Sequence, residues 1–189
     1  MNMNEVLKTI KARRSIRTYT ERQVSEEDLK LILEAGAYAP NGMHYETWHF
    51  TAVQNNFSLR MLNELLKSLY RDSDNLYTVE RGNSDTYCFY YNAPTLVIVS
   101  NEPTCTWAGQ DCACALQNMF LAARSLGIDS CWINQLGAVS DDPDMHAYLT
   151  ELGMPDNHRV YGCAALGYAP ADAPLKEKKL KEGTITIVR

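Results

Sequence analysis

The sequence predicts an α+β fold with a small central sheet, organised as a single domain over residues 1–189. Three observations predict it. Strand-like segments at 49–53, 95–100, 159–168 and 184–188 are separated by segments with helical periodicity. Residues 110–126 are apolar on nearly every side over a helical length, the pattern of a central core helix. No G-x-G-x-x-G follows a strand and no G-x-x-x-x-G-K-[ST] is present, which argues against Rossmann and P-loop nucleotide binding.

Each element has its own signal. Asn4 can cap a helix over residues 5–12, with Val6 and Ile10 on one face. Ser25-Glu26-Glu27-Asp28 resembles a capping box with Asp in the Glu/Gln place, and Leu29, Ile32 and Leu33 follow at helical spacing. Gly36 is expected to end that helix. Residues 49–53 read as a strand, and 57–70 return to helix with Leu59, Leu62, Leu66 and Leu69 on one stripe. Residues 71–91 show no clear period and read as a long excursion, partly helical at best, of the kind that forms lids or binding loops.

The second half continues with a buried strand, Thr95-Leu96-Val97-Ile98-Val99-Ser100, and the core helix ended by Gly127. Residues 127–135 read either as a loop whose amides face a ring system or as a short buried strand. Asp142-Pro143 caps and opens a helix that Gly153 and Pro155 stop. Residues 159–168 form a strand containing Gly162 and Gly167, and Thr184-Ile185-Thr186-Ile187-Val188 alternates like an edge or added strand.

Composition narrows the class. Hydrophobic residues at 46% and charged residues at 22% are ordinary for a globular domain. No apolar stretch is long enough to cross a bilayer, and the start, Met1-Asn2-Met3-Asn4-Glu5, carries no signal-peptide core, so a cytoplasmic protein is expected. The six cysteines lack metal spacing; Cys112-Ala113-Cys114 has no matching Cys or His pair. No metal site is expected, and the thiols are expected to be free.

Charge is unevenly placed. The first twenty residues carry a net +4 in a chain of −5 overall, through Lys8, Lys11, Arg13, Arg14 and Arg17 against Glu5. A local basic cluster on an acidic chain points to a small anionic ligand rather than to nucleic acid. Arginine suits phosphate and carbonyl-rich rings because its donors are planar and bidentate. Three further segments could carry chemistry: residues 39–50 with the turn at Pro40-Asn41-Gly42, residues 127–135 after the core helix with Trp132, Ile133 and Asn134, and the basic run Lys176-Glu177-Lys178-Lys179-Leu180-Lys181.

In this order and spacing the four segments resemble the nitroreductase family of flavoproteins, over nearly the whole chain. The resemblance rests on R-R-S-x-R at 13–17, A-P-N-G-M at 39–43 leading to Trp48-His49-Phe50, N-A-P at 92–94, the core helix running into Ser130-Cys131-Trp132-Ile133, and Leu166-Gly167-Tyr168 before Pro170 and the basic run. It implies a mostly antiparallel central sheet flanked by helices, with a C-terminal strand exchanged in an intertwined homodimer. It also implies bound FMN, NAD(P)H as hydride donor, and a nitroaromatic, quinone or similar acceptor in a ping-pong reaction. Arg13 and Ser15 would meet the FMN phosphate with Arg14 beside them, joined by Lys176 or Lys178. Arg17 would reach the pyrimidine edge near N1 and O2 and favour the reduced ring. Pro40, Asn41, Gly42 and His44 would approach the flavin from the other subunit. Trp132, Ile133 and Asn134 would border the ring, a backbone N–H lying near N5, and Arg17 and Asn134 are the expected catalytic pair.

The chain departs from the family's usual M-N-x-Q-P-W turn. His44, Glu46 and Thr47 stand where asparagine, glutamine and proline are common, and Asn134-Gln135 stands where glycine is frequent. Two other readings share these residues: a non-catalytic FMN-binding or storage protein, and a dehalogenase or flavin-fragmenting enzyme of the same fold.

Overall fold

The computed structural model describes residues 3–173, 178 and 181–189. Among these residues six α-helices and four strands follow one another in the order α1 (Glu5–Ala12), α2 (Glu26–Ala37), β1 (His49–Val53), α3 (Asn56–Arg71), α4 (Leu76–Asn83), β2 (Thr95–Asn101), α5 (Ala108–Ser125), β3 (Asp129–Ile133), α6 (Pro143–Glu151) and β4 (Arg159–Gly167). The helix starts follow the predicted caps: Asn4 accepts from Leu7 N–H, Ser25 from Asp28 N–H, and Asp142 from Asp144 and Met145 N–H.

The strands lie in the order β1-β2-β4-β3, every neighbouring pair antiparallel. Side chains alternate across the central strand, and each face has its own core. Leu96 and Ile98 pack with Leu59, Leu62 and Leu66 of α3 and with Met145 and Leu149 of α6. Val97 and Val99 pack with Ile32 of α2 and with Leu116, Met119 and Phe120 of α5. Helices on both faces explain why the β2 sequence is a continuous apolar run rather than an alternating one.

The structure amends four expectations. Residues 127–135 hold a strand, β3, taking the second of the two readings. The 71–91 excursion contains α4, which Asn75 caps from its side chain and whose Gly82 packs on the backbone of α3. Gly36 does not end α2; it lies inside the last turn, where a Cβ would sit 2.3 Å from Met119 Cε, so the glycine is a helix–helix contact point. Residues 184–188 form no strand within their own chain; Ile185, Ile187 and Val188 are 74%, 72% and 91% exposed. That segment has the alternation of a strand but no ladder partner among the described residues. No helix of the described residues is long and apolar enough to cross a membrane.

Candidate flavin site

The 13–17 segment leaves α1 in extended conformation and runs along the free edge of β3. Ser15 forms a parallel bridge with Ser130, and Ile16 N–H donates to Ser130 O at 2.9 Å. Alternation along an extended strip sends successive side chains to opposite sides. Ile16 is 7% exposed and turns into the core, while Ser15 and Arg17 face outward. Arg14 is on the inward alternation and folds back onto the end of α1, its Nη1 donating to Lys11 O at 2.5 Å and Arg13 O at 2.8 Å. Arg14 therefore serves the helix terminus, where unpaired carbonyls need donors, besides any ligand role.

Arg13 and Arg17 both act on Cys131, the β3 residue behind the strip. Burial pushes the Cys131 thiol up, and Arg17 and then Arg13 pull it back. In turn Cys131 raises the pKa of Arg17, opposed by burial and aided by Tyr91 and Tyr19. Tyr19 fastens the strip beyond Arg17 by donating to Ile16 O at 2.7 Å, and burial drives its own pKa above the usual range. Among the described residues no carboxylate pairs with Arg13 or Arg17. Two cations and a hydroxyl on one side of a pinned strip, without internal acid, make a donor set suited to a phosphate and a ring carbonyl. The buried Oγ of Ser130, beside this strip, also has no hydrogen-bond partner among the described residues.

β3 offers its backbone rather than its side chains. Ser130 turns its carbonyl to the outer edge, and by strand alternation Trp132, two residues on, has its N–H and C=O on the same edge, the carbonyl also accepting from Cys131 Sγ at 3.5 Å. The Trp132 indole packs on the α5 face, 5.9 Å from the Phe120 ring, and donates from Nε1 to Asn134 Oδ1. Ile133 is 1% exposed and its side chain is enclosed in the opposite core. Asn134 is exposed, but its N–H already donates to Gln135 Oε1 at 3.1 Å and its Oδ1 serves Trp132. Of the predicted trio, the Trp132 backbone is the group on the open edge.

The second group sits elsewhere. Pro40, Asn41, Gly42 and His44 form the connection between α2 and β1, held against the start of α5. Gly42 N–H donates at 2.9 Å to Asp111 Oδ1, a carboxylate only 7% exposed in the first turn of α5. An acid is favoured at that helix end. A Cβ on Gly42 would lie 2.3 Å from Trp107 Cδ1, so only glycine passes under that ring. Met43, His44 and Glu46 all have left-handed φ, 59°, 57° and 48°, and Asn41 Oδ1 accepts from Glu46 N–H at 3.3 Å. Trp107 and Asp111 were not anticipated from sequence; the only signal was an acidic residue in the first turn of an otherwise apolar helix. Lys178 is exposed, and Lys176 lies outside the described residues.

The two groups lie toward opposite ends of α5, whose 18 residues span about 27 Å. Gly42 meets Asp111 near its start, while Ser15 meets Ser130 just past its end.

Comparison with known proteins settles the family. The model of the nitroreductase family matches residues 10–168, from the basic strip to the end of the sheet. The chain belongs to the nitroreductase family. A nitroreductase of Bacteroides fragilis NCTC 9343, crystallised with bound FMN, is 66% identical and superposes with a TM-score of 0.97 over 99% of this chain and 100% of that one. A second nitroreductase with bound FMN, from Desulfitobacterium hafniense DCB-2, is 27% identical with a TM-score of 0.88 over the full length of both chains. A relative from Archaeoglobus fulgidus, provisionally named an NADH dehydrogenase/NAD(P)H nitroreductase, is 35% identical over 175 residues, 88% of this chain and 86% of that protein. The α+β fold of the nitroreductases is thus the fold of this chain.

Proposed function

We propose that this nitroreductase-family chain is an NAD(P)H-dependent flavin oxidoreductase that holds FMN and reduces a nitroaromatic, quinone or similar acceptor. The observation that carries the reading is the pinned strip on the β3 edge, with Arg13, Ser15 and Arg17 outward and, among the described residues, no carboxylate paired with either arginine. When bound, FMN would supply the hydride-transfer chemistry, through N5, that links NAD(P)H to the acceptor in a ping-pong reaction. Arg13 and Ser15 hold the phosphate, helped by Lys176 or Lys178. Arg17 supplies a cation to the pyrimidine edge, where negative charge gathers on reduction, and so favours the reduced state over the oxidised one. The Trp132 backbone on the open edge offers the N–H that the family likeness assigns near N5.

The second donor group reaches the flavin of another copy. A homodimer brings the 40–44 turn of one chain to the strip of its partner, a pairing that the separation along α5 calls for. Two exposed apolar features supply the contact area. Val6, Leu7 and Ile10 of α1 are 64%, 47% and 47% exposed, and the 184–188 tail adds Ile185, Ile187 and Val188. The tail crosses to the partner and adds to its sheet. All six cysteines are free, which fits a reducing cytoplasm.

The test is the absorption spectrum of the purified protein followed by anaerobic stopped-flow mixing with NADH and with NADPH. An oxidised-flavin band that bleaches rapidly with either donor is expected. A flavin band inert to both would make the chain a storage protein, and a colourless protein that takes up no FMN would remove the reading.

A further inference from the structure

Arg17 is exposed, yet the catalytic reading needs its guanidinium in one place. An exposed arginine left to itself samples many rotamers. The Tyr91 side chain reaches it through both ring and hydroxyl, the guanidinium carbon lying 5.9 Å from the ring centroid. Tyr91 itself is held by backbone rather than by packing alone. Tyr91 and Asn92 are consecutive non-glycine residues with left-handed φ, 56° and 55°. Such strain persists where the surroundings over-determine it, and it concentrates at ligand sites. Here Tyr91 N–H donates to Cys88 O and Ala93 N–H to Tyr90 O, both at 3.1 Å. The flanking Tyr90 and Ala93 are 6% and 1% exposed and anchor the turn in the core. Tyr91 is half-buried, packs against the α3/α6-side core, and borders a cavity of about 340 Å³ shared with Arg81, Tyr87 and Cys88.

We infer that Tyr91 is a positioning residue that fixes the Arg17 guanidinium against the pyrimidine edge of the flavin, through its ring and its hydroxyl. This rests on the proposed FMN site. The experiment is an FMN titration of apoprotein and a redox titration of the flavin-loaded protein, for wild type, Tyr91→Phe, Tyr91→Leu, Arg17→Ala and the Tyr91→Leu/Arg17→Ala double variant. Removing a partly solvated cation–π contact should weaken FMN affinity about threefold to tenfold. Tyr91→Leu is expected to show that loss together with a lower flavin midpoint potential, and Tyr91→Phe, which keeps the ring but not the hydroxyl, to fall between the Leu variant and wild type. Without Arg17, Tyr91→Leu should change neither quantity further. A merely structural tyrosine would not show that non-additivity.

Equal midpoint potentials for wild type and Tyr91→Leu would overturn the inference. So would additive effects in the double variant, or a Phe variant as impaired as the Leu variant. All three outcomes leave the FMN reading standing. A wild-type protein that binds no FMN would instead overturn that reading and this inference with it.

Discussion

The 13–17 strip and the 41–46 turn reach the surface by different means. The strip is built by regular pairing: Ser15 and Ile16 join the edge of β3, Ile16 enters the core, and alternation alone turns Ser15 and Arg17 outward. The turn is built by constraint: three non-glycine residues with left-handed φ, a buried carboxylate on one amide, and a tryptophan ring closing over Gly42. In the strip, the outward side chains are separate from what holds the backbone. In the turn the two cannot be separated. Substitution in the strip should therefore touch ligand binding and spare the fold, whereas substitution in the turn should touch the fold first.

That contrast can be broken by experiment. The largest expected effect is on the ligand. Arg13→Ala should weaken FMN binding about tenfold to a hundredfold, the loss of a charge-assisted bond of roughly 1.5–3 kcal/mol, while the urea midpoint of the apoprotein stays unchanged. FMN titration at fixed salt, paired with apoprotein unfolding, measures both. Destabilised apoprotein with unaltered affinity would reverse the roles assigned to the two regions.

Gly42→Ala should destabilise the apoprotein by about 1–3 kcal/mol, because the new methyl meets the Trp107 ring and the packing must shift. Adding Trp107→Ala should recover part of that loss. Equal stability of Gly42→Ala and wild type would mean that the ring moves aside freely.

Asp111 refines the comparison. Asp111→Ala leaves the Gly42 N–H without its partner at a half-buried site and should cost about 1–3 kcal/mol. Asp111→Asn retains an acceptor oxygen and should lose well under half of that. If the two variants unfold alike, the charge at the start of α5, and not the hydrogen bond, holds the turn.

The smallest effect is a pH dependence centred on His158, which directly precedes β4 and faces His49 of β1. His158 is 7% exposed, bonded through Nδ1 to Ser100 Oγ at 3.2 Å, with the His49 ring 6.4 Å away. Burial, and then His49, lower its pKa, against a smaller upward pull from Glu102. The folded protein thus resists a proton that the unfolded chain accepts. Stability should be undiminished above the ordinary histidine pKa of about 6.5 and should fall as pH drops from there toward the lowered folded value. Urea unfolding at both ends of that range, for wild type and His158→Gln, should show a smaller slope in the variant. A slope unchanged by His158→Gln would assign the acid sensitivity elsewhere.

The strip was legible because its signal is local: three arginines and a serine within five residues, on an acidic chain, ahead of an extended segment. Caps at Asn4, Ser25 and Asp142 were legible for the same reason, since a cap is a contact across three residues. What escaped is long-range. Asp111 and Trp107 act on a turn some 65–70 positions earlier in the chain, as the Gly42 bond shows with its separation of 69. Gly36 looked like a helix stop because sequence cannot show Met119 lying across it. β3 was ambiguous because five residues are too few for periodicity to separate a buried strand from a loop. Tyr91 was hidden by its context, an aromatic run in which nothing marks the ring that turns toward Arg17.

The spacing of the two donor groups along α5 has a consequence for handling the protein. If each FMN needs the strip of one chain and the turn of another, then cofactor retention and assembly are one linked equilibrium. Dilution would release flavin as well as subunits, and excess FMN would pull subunits together. The colour of a preparation would then report its concentration history, fading on a dilute gel-filtration run and returning when fractions are pooled with FMN.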